Sequence, residues 1–542
     1  MNRKVLMLSL EGLKDRNGWS RAGVKLPTFD IEKVRRNTRD NPKWVHFGTG
    51  NIFRGFIAGI SQGMIELGRE SVGIIGVELF DYEILDKIYY PYDNLALAVT
   101  INSDGTLDKE VIASIAMGLK GSPDSGDWEI LKSIFRNPSL QVASLTITEK
   151  GYNLEDERGR PYPQVLEDME RGPLYPKTSM GRIVSLLYER FRSGKLPIAM
   201  LSLDNFSRNG EKLFSSLNKI AEEWVKMSFI EESFLDYLRE SVSFPWSMID
   251  KIVPRPSEFV RKHLEDLGIV RMEIYITEKK TFIAPFVNME RAQYLVIEDS
   301  FPNGRPPFEG VSRNLFLTDR DTVEKSERMK VTACLNPLHT TLGVFGCLLG
   351  YKTIADEMRD PLLVELVKGV GEEGIKVVVD PGIINPREFL KEAISERLSN
   401  PYLPDVPQRI ATDTSQKVPI RFGETIRAYH ERPDLDPTEL KYIPFVIAGW
   451  CRYLLGVDDE GKPMELSPDP LLDTLRGYIA DVRFGDPYSV KDRLRPILSS
   501  SQLFKVNLYE VGLGHRIEEH FKRMIAGPGA VRKTLKEILG GI

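Results

Sequence analysis

The sequence predicts a doubly wound α/β domain followed by an all-α domain, on three observations. At WVHFGTGNIFRGF (44–56) a strand, a glycine turn and a helix start follow one another, and the β-branched run SVGIIGVELFD (71–81) completes a βαβ unit. The runs LALAVTIN, LQVASLTIT and PIAMLSLDN add strand candidates separated by helical or loop segments. Past the Pro/Gly-rich FPNGRPPFEG (301–310) strand signals fade, and helical patterns such as LLVELVKGVGEEG, PREFLKEAISERL and FVIAGWCRYLLG dominate.

A chain of 542 residues exceeds the usual single domain, so two cores are expected. Residues 1–40 are polar, contain Pro27 and run into RRNTRDNPK (35–43), and read as a surface extension without chemistry. The α/β domain is expected over 41–305, with 301–310 as the linker, and the helical domain over 306–542. No internal repeat or low-complexity tract interrupts them.

Charge bounds the partners. The 73 Lys+Arg against 78 Asp+Glu give a net charge of -5, the wrong sign for phosphate-backbone binding, so nucleic acid is not expected. The N-terminal apolar run is short, an acidic residue follows at once, and no cleavage pattern reads as a signal peptide. No stretch of about 18 uncharged apolar residues predicts a membrane span. The three cysteines, Cys334, Cys347 and Cys451, lack metal or disulfide spacing and read as small buried hydrophobes in a reducing, cytoplasmic setting.

The glycine turn carries the first chemistry. Gly48 and Gly50 sit between strand and helix, where backbone amides at a positive helix end can approach a pyrophosphate. The third glycine of GxGxxG is replaced by Phe53, and a purely structural turn is the competing reading. The second strand ends in Glu78 with Asp81 just beyond. A carboxylate there bonds ribose hydroxyls and repels a 2′-phosphate, favouring NAD over NADP. Arg54 is either a pyrophosphate partner or a solvated helix residue.

Further along, LSLDNFSRNG places Asp204 and Asn205 after an apolar strand, at the carboxyl edge where such sheets bind ligands and where turn residues also collect. In FPWSMIDKIVP, Asp250 sits among apolar residues and needs partners, as a cap or as a site residue. ERMKVTACLNPLHTTLG supplies Lys330, Asn336 and His339. The last two share a helix face if Pro337 lies in its first turn, and the set suits proton transfer and carbonyl polarisation. QRIATDTSQKVPIRF supplies Arg409, Lys417 and Arg421, a substrate-binding trio or a surface patch. The six histidines show no HExxH, and His515 and His520 of HRIEEH read as a solvated helix face, so no metal is expected.

Taken together, GTGNIFRG, SLTITEKGY, LDNFSRNG, FPWSMIDKIVP, LVIEDSFPNGRPP, the Lys–Asn–His segment, RIATDTSQK and FGDP (484–487) resemble the mannitol dehydrogenase family of polyol-specific long-chain dehydrogenases, over nearly the whole chain from Trp44. The resemblance implies a Rossmann-type NAD-binding domain, an all-α C-terminal domain and a metal-independent oxidoreductase acting on a linear sugar or sugar acid. It implies that Lys330 is the general base, that Asn205 and Asn336 hold the developing alkoxide, and that His339 orients the reacting oxygen. Asp250, Arg409 and Lys417 match substrate-binding positions, and Glu327 matches a glutamate that assists proton exit.

One departure stands out. The family usually spaces lysine and asparagine as KxxxxN, whereas this chain has one residue more, which would turn Lys330 by about 100° unless a π-bulge absorbs it. For the lysine to act, burial must lower its pKa towards neutrality. Within the family the reading favours reduction of D-fructuronate to D-mannonate, with D-tagaturonate reduction and mannitol oxidation as alternatives; an NAD-retaining epimerase is the alternative from another class. A monomer or small homo-oligomer binding only small molecules is expected.

Overall fold

The computed structural model describes residues 5–156, 158–403 and 405–539. The chain divides into two compact units, Met1–Glu324 and Lys325–Ile542.

In the first unit, six parallel strands form the central sheet: β1 (Trp44–Phe47), β2 (Ile74–Glu78), β3 (Ile115–Lys120), β4 (Val142–Leu145), β5 (Ile198–Ser202) and β6 (Val242–Ser243). Their order is β6-β5-β4-β1-β2-β3, so the winding reverses between β1 and β4, the position at which doubly wound sheets bind dinucleotides. Phe47 lies opposite both Val77 and Leu145, and Leu145 opposite Ser202. All four residues of β1 are buried, as a parallel strand covered on both faces requires.

Two expectations change here. LALAVTIN forms the strand Ala96–Ile101, but in a separate four-stranded sheet, because it turns back antiparallel onto Leu107–Ile112. The cause is local: in NSDGT, Gly105 takes φ 84° and the Asn102 amide donates to the Thr106 carbonyl at 3.0 Å. Nor is the N-terminal segment a bare surface extension. Leu6–Met7 pairs with Ile269–Val270, Val24–Lys25 pairs with Lys109–Glu110, and Trp19 is fully buried in the same cluster as Leu97 and Phe286.

The Pro/Gly-rich stretch also belongs to the first unit, with Phe308 buried against Trp44 at 5.5 Å between ring centres. The helical unit therefore begins later than this stretch suggested.

The second unit is helical, as the periodicity predicts. Asn336–Leu349 is its central helix, packed against Pro361–Ile375 and Tyr442–Tyr453. The run Arg320–Leu349 is long and apolar enough to cross a bilayer, but 78% of its apolar window is buried in the fold, which is how a core helix looks. The three cysteines are free and buried, with their thiols pushed up to about 12 by burial.

Candidate active site

The glycine turn is built from both strands at the reversal. Gly48 has φ 101°, and any side chain there would collide with the Thr146 carbonyl oxygen beyond β4. At Gly50 the space a Cβ would occupy is open, so the backbone can be approached closely. Phe53 fills the place of the missing third glycine, and the close helix–strand approach is recovered from the strand side: its ring stands 2.8 Å from where a Cβ on Gly76 would lie. Phe53 also stacks on His46 at 4.7 Å. His46 is buried, bonded to Ser144 Oγ (2.7 Å) and Thr146 Oγ1 (2.8 Å), and pushed down to about 3 by desolvation, so it is neutral.

Glu78 lies at the end of β2 as expected, but its oxygens are taken by the chain itself. Oε2 accepts from the Thr49 amide (3.0 Å) and hydroxyl (2.5 Å), and Oε1 from the amides of Leu79 (3.1 Å), Phe80 (3.0 Å) and Asp81 (3.1 Å). A carboxylate offers about four lone-pair sites, so five donors saturate it. Asp81 accepts from the hydroxyls of Thr277 and Thr281, both at 2.6 Å. Both groups fasten the glycine turn and its surroundings.

Arg54 is not a solvated helix residue. It is 1% exposed on the π-turn Phe53–Ile57 and donates to Asn51 Oδ1 (3.1 Å) and to the carbonyls of Ala284 (2.7 Å) and Phe286 (3.4 Å). Its Nε and Nη1 make no hydrogen bond, no carboxylate pairs with it among the described residues, and burial lowers it to about 10.

Asp204 and Asn205 follow β5. Asp204 is buried and Asn205 exposed; Asp250 is buried at the end of the strand Ser247–Asp250, opposite Tyr294.

In the second unit, Lys330 is 1% exposed within a π-turn, Met329–Cys334. Asn336 opens the next helix with Pro337 in its first turn, so Asn336 and His339 share a face, both half-buried. Glu327 lies one turn before Lys330 on Arg320–Arg328. Arg421, on the π-turn Pro419–Gly423 packed against that of Lys330, donates through Nη1 to the Asn336 carbonyl (3.2 Å) and to Thr340 Oγ1 (2.7 Å). Burial pushes it down to about 10.

Lys417 donates to the carbonyls of Ile410 (3.0 Å) and Thr412 (2.5 Å). Burial, aided by Arg421, lowers it to about 8. Arg409 is exposed and paired with Asp405 at 2.7 Å. The cationic trio thus divides: Arg421 braces the Asn336 helix, while Lys417 and Arg409 lie on the neighbouring short helices Thr414–Val418 and Pro407–Ala411.

His515 is exposed, but His520 is buried edge-on against Phe445 and lowered to about 4, so HRIEEH is only half a solvated face. No group of three His, Cys, Asp or Glu side chains among the described residues could hold a metal ion.

Sequence reasoning gave no role to Thr148, which has φ 64° and ψ 156°, or to Tyr152, whose hydroxyl donates to Asp204 at 2.7 Å. The polar TITEKGY after an apolar strand was the available signal.

Comparison with known proteins covers both units. Residues 42–310 match the mannitol dehydrogenase Rossmann domain and residues 322–525 the mannitol dehydrogenase C-terminal domain. A D-mannonate oxidoreductase of Thermotoga maritima is 69% identical over 535 residues, 99% of each chain. A mannitol 2-dehydrogenase of Neosartorya fischeri is 31% identical over 89% of this chain and 91% of its own. The solved ternary complex of Pseudomonas fluorescens mannitol 2-dehydrogenase with NAD and D-mannitol is 26% identical, with a TM-score of 0.70, covering 99% of this chain and all of the other.

Proposed function

The chain belongs to the mannitol dehydrogenase family, and we propose that it is an NAD-dependent oxidoreductase interconverting D-mannonate and D-fructuronate. The observation that carries the substrate is the full-length identity of 69% to a D-mannonate oxidoreductase, against 31% to a mannitol 2-dehydrogenase. The residues fit the cofactor. Gly48 makes the tight turn and Gly50 leaves backbone open to close approach at the winding reversal, and Arg54 is a buried cation with unsatisfied donors and, among the described residues, no carboxylate paired with it. Three buried thiols suit a reducing cytoplasm.

When bound, NAD supplies the group that accepts hydride from the alcohol carbon or returns it to the ketone. Lys330 takes the hydroxyl proton during oxidation and gives it back during reduction. The amides of Asn205 and Asn336 donate to the oxygen as negative charge develops on it, and His339 orients that oxygen. Glu327 passes the proton from Lys330 towards water. Asp250, Arg409 and Lys417 hold the substrate's hydroxyls and carboxylate.

NADH oxidation measured with D-fructuronate, D-tagaturonate and D-fructose tests this reading. D-Fructuronate is expected to give the highest kcat/KM; a preference for fructose over both uronates sinks the assignment.

A further inference from the structure

The segment after β4 is held in a shape that its sequence does not favour. β4 and β5 run parallel with Leu145 opposite Ser202, so the residues leaving both strands are neighbours. The same segment faces the glycine turn, since Thr146 supplies the carbonyl against which Gly48 lies. Two residues on, Thr148 takes φ 64° and ψ 156°, a region that only glycine visits freely and that a β-branched residue avoids.

One side chain holds it there. The Asp204 carboxylate accepts from the Ile147 amide at 2.9 Å, from the Thr148 amide at 2.9 Å and from the Tyr152 hydroxyl at 2.7 Å. Tyr152 is fixed in turn by Ser202 Oγ at 2.8 Å, and the Gly151 amide closes onto the Thr148 carbonyl at 2.9 Å. Asp204 is 9% exposed, and the next residue in the chain is Asn205. Strain of this kind persists only where its surroundings over-determine it.

We propose that Asp204 is a positioning residue for the redox reaction: its carboxylate holds the strained Thr148 turn beside the glycine turn and, through the peptide bond it shares with Asn205, sets that amide from the same anchor. The inference rests on the NAD-dependent reading above, because the turn lies where sheets of this order bind a dinucleotide.

The test uses full-length protein. Asp204→Asn keeps the shape and one acceptor oxygen but turns an N–H towards an amide that needs an acceptor. kcat is expected to fall by about a hundredfold, the usual effect of a small misplacement, with KM for D-fructuronate within about threefold. The NADH dissociation constant, read by fluorescence, should rise, and the primary isotope effect from deuterated NADH should grow as hydride transfer becomes limiting. Adding Thr148→Gly to this variant should restore about tenfold of kcat, since glycine adopts the turn without a clamp. Thr148→Gly alone should raise the thermal midpoint. This last measurement decides even if Asp204→Asn fails to fold.

Asp204→Asn with wild-type kcat and isotope effect, or a Thr148→Gly midpoint below wild type, overturns the inference. Wild-type protein that does not bind NADH sinks the oxidoreductase reading instead, and the Thr148→Gly midpoint still tests the clamp.

Discussion

The Leu335 amide donates to the Lys330 carbonyl at 3.1 Å, closing a five-residue step where an α-helix would close four. This π-turn, Met329–Cys334, contains the lysine and ends two residues before Asn336, in the stretch where the family resemblance implies one residue fewer. A single π-turn takes up an inserted residue without rotating the helix beyond it. Deleting Thr332 should therefore leave kcat within about tenfold of wild type as the turn relaxes to α, whereas inserting an alanine after Val331 turns Lys330 by about 100° and should cost a hundredfold or more. Equal losses in the two variants would show that the turn does not set the lysine's phase.

Glu78 is saturated by five donors from Thr49 and the Leu79–Asp81 backbone. Replacing it by glutamine points an N–H at other donors, at a cost of about 1–3 kcal/mol. Glu78→Gln is expected to lower the thermal midpoint and to weaken NADH binding in calorimetry, because the glycine turn loosens. The variant should still prefer NAD, since Asp81 remains beside it. Unchanged stability together with equal use of NADP would mean that Glu78 meets the ribose and not the turn.

Arg421 reaches the Asn336 carbonyl and Thr340 Oγ1. If it braces the helix, Arg421→Ala should reduce kcat on D-fructuronate and on D-fructose by similar factors and lower the thermal midpoint. A KM increase confined to the uronate would instead make Arg421 a direct partner of the substrate carboxylate.

How much of this was legible follows from the range of each interaction. β1 and β2 were readable because buried parallel strands are continuous apolar runs, and the lysine spacing was readable because a helix converts residue count into angle. The pairing of Leu6 with Ile269 left no local trace, so the first forty residues looked like an extension. Asp204 read as an ordinary turn residue because the amides it holds stand 56 and 57 residues earlier in the chain. Sequence marked the strand end; packing assigned the carboxylate its partners.

Glu357 is fully buried against Gly346, and neither of its oxygens has a hydrogen-bond partner among the described residues. Burial holds its carboxyl well above the usual carboxylate range, with Asp360, Asp356 and Asp405 adding to the shift. The folded chain therefore keeps a proton that the unfolded chain releases near pH 4.5, and stability is lost as pH rises above that value. Glu357→Gln cannot ionise. Its thermal midpoint is expected to exceed that of the wild type at about pH 8, with the gap closing towards about pH 4. A gap that does not change with pH would place the ionisation elsewhere.

Lys330 carries the proposed mechanism. It is buried, one helical turn after Glu327 and one π-turn before Asn336. Removing a positioned proton-transfer group costs about a hundredfold to ten-thousandfold, so Lys330→Ala should lose that much turnover while NADH binding stays nearly unchanged. Oxidation by the wild type should rise with pH through a single ionisation, because only the neutral amine accepts the alcohol's proton, and the variant should lack that step. A small external amine should restore part of the rate by entering the vacated space. Near-normal turnover and an unchanged pH profile in Lys330→Ala would transfer the proton to another group and leave the π-turn a feature of packing alone.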